Sequence, residues 1–257
     1  MIDSSMPLPA LFLHLLLLSP IPGLPRTAKV IEVLALPADA YPDRSIVLWM
    51  ESPKPSECYE IDPDDPEPEP FARSIASATT GCHFSGPTRV SLVDTLKRRL
   101  MNTVHVEDPW SDEDRFEIPY LLDREEEGPY FLPGEERFGK PELLRLRDVN
   151  GDGEALEIAF FDAETGSDLE TTVIGYSPRR DQLVNYPIRI RDQETGETFE
   201  TTWTEALADV SPDRPGYWKY TISHPPGIAE DYEIKYRRDL EIFEGTVAHR
   251  ELELPQP

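Results

Sequence analysis

The run Leu144-Arg145-Leu146-Arg147-Asp148-Val149-Asn150-Gly151-Asp152-Gly153-Glu154-Ala155-Leu156-Glu157-Ile158-Ala159-Phe160-Phe161 decides the fold class. Upstream of its centre, Leu144 and Leu146 alternate with Arg145 and Arg147. Downstream, Leu156, Ile158 and Phe160 alternate with Glu157, Ala159 and Phe161. A period of two sends successive side chains to opposite faces of an extended chain, so the pattern predicts two strands joined by a loop. Within the loop, Asp148, Asn150 and Asp152 stand at alternate positions, and Gly153 lets the chain turn without a Cβ penalty. Short oxygen-bearing side chains in a curled loop converge on one point, which is the environment a hard cation such as Ca²⁺ requires. Asp148, Asn150 and Asp152 are expected to offer side-chain oxygens and Glu154 a backbone carbonyl. Glu157 or the nearby Asp162 would add the remaining carboxylate. Oxygen-only ligands favour Ca²⁺ over Zn²⁺. The competing reading is a bare hairpin turn without metal, since Asn-Gly and Asp-Gly are favoured turn dipeptides on their own.

An EF-hand does not fit. Its loop needs an acid at the twelfth position, occupied here by Ala159, and helices on both sides. The strand–DxNxDG–strand arrangement instead resembles the calcium loops of FG-GAP and VCBS repeats. The resemblance covers Asp148 to Glu157, and those loops place an acid where this chain has Leu156, with Glu157 one position later. It implies Ca²⁺ as the bound ion and a propeller-like setting.

Elsewhere the chain reads as strands and turns. Ala28 to Leu36 and Ser45 to Glu51 are the first expected strands. Residues 91–106, 174–190 and 234–247 share a plan of apolar strand, short basic or polar turn and second strand, which is the pattern of a hairpin. Their spacing is irregular, so no repeat array follows. Glu-Thr-Gly occurs twice, at 164–166 and 194–196. Helical signals are confined to a turn at Pro141–Leu144 and a short helix at most at Trp203–Ala208. The expected fold is all-β, an antiparallel hairpin meander with a propeller-like arrangement, the alternative being a β-sandwich. A single β-rich domain over 29–257 is expected, with an exposed acidic, proline-rich loop at 61–70, where Asp62–Pro70 alternates acids with prolines.

Residues 1–28 are expected to be a signal peptide. Leu8 to Leu18 is almost continuously apolar, long enough for the hydrophobic region of an export signal and short of the ~20 residues a membrane span needs. Asp3 and the lack of basic residues before the run depart from the usual pattern, and a buried N-terminal helix is the other reading. The protein is thus expected to be secreted or periplasmic, with no span in the mature chain. In that setting Cys58 and Cys82, the only two cysteines, are expected to form a disulfide, with two buried thiols as the alternative.

Fifty acidic residues against 25 basic ones give a formal charge of −25. Nucleic acid as a partner is excluded on this ground, because phosphate binding requires a basic footprint. No HExxH, G-x-S-x-G or glycine-rich phosphate loop is present. His83 and Ser85 lie two apart, but a serine nucleophile takes its base and oxyanion donors from the fold, so no catalytic residue is assigned. Trp49, Trp203, Tyr217, Trp218 and Tyr220 fall on strand-like segments, where core packing and a carbohydrate-binding platform are the competing roles. The functional expectation is an exported, acidic, calcium-stabilised β-protein with a non-catalytic binding or structural role toward a protein or glycan ligand. The alternative is an extracellular carbohydrate-active hydrolase with a structural calcium ion.

Overall fold

The structure, a computed structural model, describes residues 21–55, 84–106, 116–118, 144–162, 170–205, 214–224 and 227–251. The apolar run at Leu8–Leu18, both cysteines, the Asp62–Pro70 loop, His83, the first Glu-Thr-Gly and the Pro141–Leu143 part of the expected turn lie outside these residues. Among the described residues the protein is all-β, with strands and turns and no helix. No described helix is therefore long and apolar enough to cross a membrane.

The chain divides into two compact units. One comprises residues 1–145, 160–168 and 176–184, and the other 146–159, 169–175 and 185–257. The first contains a four-stranded antiparallel sheet of order β1-β2-β5-β6, formed by β1 (Ala28–Ala35), β2 (Arg44–Glu51), β5 (Thr88–Asp94) and β6 (Arg99–Val106). It also contains a small sheet of β3 (Lys54–Pro55), β4 (Phe84–Gly86) and β7 (Phe116–Ile118). The unbroken apolar run of β2 places Ile46 to Met50 entirely in the interior, as expected of a central strand covered on both faces. On one face Val47, Trp49 and Val93 cluster with Ile21, against which Leu24, Ala28, Val30 and Val33 pack. Ile21 and Leu24 fall inside the stretch expected to be a leader.

The carboxamide of Asn102 acts in this unit as a short strand. Its Nδ2 donates to the Leu183 carbonyl at 2.8 Å, and its Oδ1 accepts from the Leu183 amide at 3.0 Å. Leu183 belongs to β10 (Gln182–Asn185), which pairs with β9 (Glu170–Ser177). The far side of β9 carries β13 (Trp203–Glu205), and β8 (Glu157–Asp162) also pairs with β9. Residues of β8, β9 and β10 occur in both units.

Trp203–Glu205 is therefore strand, correcting the expectation of a helix starting there. It pairs antiparallel with Thr172–Glu170, and a cross-strand partner outweighs the weak helical preference of so short a segment.

The second unit carries a five-stranded sheet of order β12-β11-β16-β15-β14. Its strands are β11 (Ile188–Asp192), β12 (Thr198–Thr201), β14 (Tyr217–His224), β15 (Ile228–Arg237) and β16 (Ile242–Glu251). Three of its pairings are antiparallel. The β11–β16 pair is parallel, with Ile188 opposite Phe243 and Asp192 opposite Val247. The antiparallel run is interrupted by this one parallel pair, and among the described residues the sheets have unequal strand numbers. Ile188, Ile190, Trp218, Ile234, Phe243 and Val247 are buried. Phe243 sits at the centre of edge-on or tilted contacts with Tyr186, Trp218 and Tyr236.

Three hairpin turns share one device. Arg98, Asp181 and Glu241 each close a four-residue connection with φ of 49°, 50° and 53°. These are the turns of the three segments whose common plan was legible in the sequence. None uses glycine at the left-handed position, where a side chain costs about 1–2 kcal/mol.

Candidate metal centre

The loop Asp148–Gly153 begins where Arg147 and Glu157 form an antiparallel bridge. Arg147 N donates to the Glu157 carbonyl at 2.7 Å, and Glu157 N donates back at 3.1 Å. The strand expected upstream is reduced to this bridge, while the downstream strand is β8. Inside the loop, Gly151 and Gly153 have φ of 69° and 93°. The amide of Asp152 donates to both Asp148 Oδ1 at 2.9 Å and Asn150 Oδ1 at 2.8 Å. Those two side-chain oxygens therefore converge on one point. Gly153 N donates to Asp148 Oδ2 at 2.9 Å, and Glu154 N to Asp152 Oδ1 at 3.0 Å. The Glu154 carbonyl accepts from Leu156 N at 3.1 Å.

Glu157 lies beneath the loop and is 1% exposed. Its Oε2 accepts from Val149 N at 3.1 Å and its Oε1 from Asn150 Nδ2 at 3.0 Å. The Tyr186 hydroxyl stands 3.5 Å from the same Oε1. Both Glu157 and Tyr186 crowd Gly175, where an added Cβ would meet Tyr186 Cε2 at 2.6 Å and Glu157 Cγ at 2.9 Å. Burial pushes the Glu157 carboxyl up to about 8; the charges of Asp152 and Asp148 add to the rise, and the hydrogen bonds from Asn150 and Val149 oppose it. Glu157 holds the amide nitrogen of Asn150 while the amide oxygen points toward Asp152 N. It thus reaches Asn150 from the side opposite to the one where the loop oxygens meet.

The expected residues separate accordingly. The Asp148 and Asn150 side-chain oxygens meet at the Asp152 amide, and the Asp152 carboxylate accepts from Glu154 N and lies near Arg238. Glu154 remains exposed at the rim, and Glu157 is turned inward behind Asn150. Asp162 ends β8, and its side chain lies outside the described part of the structure. Among the described residues, no three His, Cys, Asp or Glu side chains are gathered so as to hold a metal ion by themselves. The loop's own contribution is two carboxylates and a carboxamide. These residues suit a hard cation in part, through convergent oxygens at Asp148 and Asn150 with Asp152 beside them.

Three participants were not legible in the sequence. Arg238 Nη2 lies 3.8 Å from Asp152 Oδ2, Tyr186 caps Glu157, and Gly216 lies against the Asn150 carbonyl. All three reach the loop from distant parts of the chain, so no local spacing announces them.

Of the aromatic residues considered for a platform, Trp49 and Trp218 are buried. Tyr220 stacks on Tyr232 with ring centroids 5.1 Å apart. Tyr217 is half-buried beneath the Arg214 guanidinium, 4.5 Å from its ring centre. Core packing accounts for the two tryptophans, and the Trp203 side chain is outside the described part. Compared with protein-family models, curated proteins and solved structures, the chain matches none of them.

Proposed function

We propose that Asp148, Asn150 and Asp152 bind Ca²⁺, and that the ion clamps the loop of an exported, acidic β-protein whose role is binding or structural rather than catalytic. The observation that carries this reading is the convergence of Asp148 Oδ1 and Asn150 Oδ1 on the Asp152 amide. Glu157 supports it from behind by fixing the Asn150 amide, as an orienting group commonly does for a ligand. The Glu154 carbonyl and water complete the coordination. An ion between Asp148 and Asp152 would also relieve the repulsion that those carboxylates exert on Glu157.

Binding to the folded state alone stabilises by linkage, by about 2.7 kcal/mol at a hundredfold excess over Kd. Affinity is expected to be modest, on the order of 10⁻⁴–10⁻³ M, as in extracellular modules. The melting temperature should rise with millimolar calcium and fall back with chelator, and Asp148→Ala or Asp152→Ala should abolish the rise while leaving a folded protein. A wild-type melting curve indifferent to calcium would sink the proposal.

Export is part of the same reading. Because Ile21 and Leu24 pack in the cluster around Trp49, cleavage is proposed to fall before Ile21. Mass spectrometry of the protein from its native host tests this, and recovery of an intact Met1 or Met6 form from the cytosol would refute it. The proposed Cys58–Cys82 bridge is tested by thiol titration of the same material, where two free thiols would exclude it.

A further inference from the structure

We infer that the solvent face of the five-stranded sheet is a binding trough for an acidic oligosaccharide, one carrying well-spaced carboxylates. This deepens the binding role proposed above and uses no residue of the calcium loop. Two adjoining hollows of about 460 and 370 Å³ lie on this face and share Glu233 and Thr246. Their charges are unevenly matched. Glu244 is held by Arg237 at 2.8 Å and by Arg189 at 3.8 Å. Glu233 is held by Lys219 at 3.3 Å, and the hydrogen bond from Tyr217 and that from Lys219 keep its carboxyl below the usual range. Arg191 and Lys235 line the larger hollow and are exposed. Neither forms an ion pair or hydrogen bond with a side chain among the described residues. Two unmatched cations therefore face one trough in a chain of formal charge −25.

The register sets their separation. Arg191 pairs with Thr246, and Thr246 with Glu233, two residues before Lys235. Two strand spacings across and two residues along put the Cα atoms roughly 12 Å apart. A polymer with a charge every ~1.7 Å, such as duplex DNA, would set its extra charges against Glu233 and Glu244. A sparse polyanion would not. A peptide is also disfavoured, because added strands bind at a sheet edge and the main-chain groups of the central strands here are used in their ladders. What the face offers instead is hydroxyl and amide groups, Thr246 between the cations and Thr198, Tyr217 and Gln193 around them. That mixture suits sugar hydroxyls and uronate carboxylates.

The test is isothermal titration of the full chain with an oligosaccharide of alternating glucuronate and N-acetylglucosamine. A neutral glucan oligosaccharide and oligoglutamate serve as comparators, each with calcium and with chelator. Binding of the uronate chain should weaken as salt rises. It should be roughly tenfold weaker in Arg191→Ala and in Lys235→Ala, the effect of one charge-assisted hydrogen bond each. Arg191→Lys should restore most of the binding, and melting temperatures should be unchanged. Binding that survives in Asp148→Ala would uphold the trough whatever becomes of the calcium proposal. No uronate binding, binding indifferent to both alanine variants, or equal binding of oligoglutamate would overturn it.

Discussion

Gly151 and Gly216 lie in such close backbone contact that a Cβ added to Gly151 would stand 1.9 Å from the Gly216 amide nitrogen. The same Cβ would meet two Pro215 backbone atoms at 2.6 and 2.8 Å. The obstacle is main chain, which cannot swing away as a side chain can. The cation-loop candidate is thereby seated on the turn that leads into β14.

Gly151→Ala is accordingly expected to be strongly destabilising, by about 2–4 kcal/mol, since strain at φ of 69° adds to the overlap. Gly153 has the other positive φ of the loop but nothing within 4 Å of its Cβ position. Gly153→Ala should therefore cost only about 1–2 kcal/mol. Urea unfolding of the two variants checks the ranking, and equal losses would show that the Gly216 contact is unimportant.

The buried Trp49 indole donates to Ser91 Oγ at 2.8 Å, and Ser91 Oγ lies 2.8 Å from Thr103 Oγ1. Ser91→Ala should cost about 1–3 kcal/mol by leaving the indole N–H without its acceptor. Combined with Trp49→Phe in a double-mutant cycle, it should show a coupling of about 1 kcal/mol. Additive losses would mean that the hydrogen bond contributes nothing beyond packing.

Arg44 is the electrostatic centre of the first unit. Its Nε and Nη2 donate to the two Asp181 oxygens at 2.8 and 2.6 Å, and its Nη1 lies 3.4 Å from Asp94 Oδ2. The Arg44 hydrogen bonds hold the Asp181 carboxyl below its usual range, against the opposing effect of burial. For Asp94 burial acts upward, yet the Lys97 hydrogen bonds together with Lys97 and Arg44 charge keep it lowered. Depressed carboxylates contribute stability that is fully present above about pH 4 and lost as pH falls through their lowered values. Arg44→Met should therefore cost about 1 kcal/mol near neutrality, a small figure because the pair is partly exposed. The deficit should vanish toward pH 2. Chemical denaturation across that range tests it, and a deficit independent of pH would point to lost packing.

Arg98 is exposed and holds a left-handed φ of 49° in its hairpin turn. Arg98→Gly should raise stability by about 0.5–1 kcal/mol, the relief of strain exceeding the extra chain entropy of glycine. A lowered melting temperature would contradict this.

Asn102→Asp should destabilise more at neutral pH than at low pH. The new carboxylate can still accept from the Leu183 amide, but it would face the Leu183 carbonyl without a proton to offer it. Protonation restores a donor. Thermal melts at two pH values separate this from a general loss of packing.

The strands and turns of this protein were legible in its residues because period-two alternation and turn chemistry act over a few neighbouring positions. Ala28–Ala35, the β5–β6 hairpin, the β15–β16 hairpin and the loop at Asp148–Gly153 were all readable on that basis. Alternation along one short curl likewise brings the Asp148 and Asn150 side-chain oxygens to the Asp152 amide. Tertiary structure alone decided the rest. The parallel pairing of Ile188–Asp192 with Phe243–Val247 joins segments with four strands between them in the chain, and alternation carries no information about which strand lies beside which, or in what direction. Glu157 reads in sequence as a candidate carboxylate for the loop, one position beyond the place the resemblance assigns to an acid. It became a buried group behind Asn150 only because Tyr186 and the side-chain-free Gly175 close over it. Likewise Arg191 and Lys235, unremarkable among 25 basic residues, share a trough because register sets them on one face of one sheet. Burial and register depend on partners far along the chain, and those are supplied by the assembled fold.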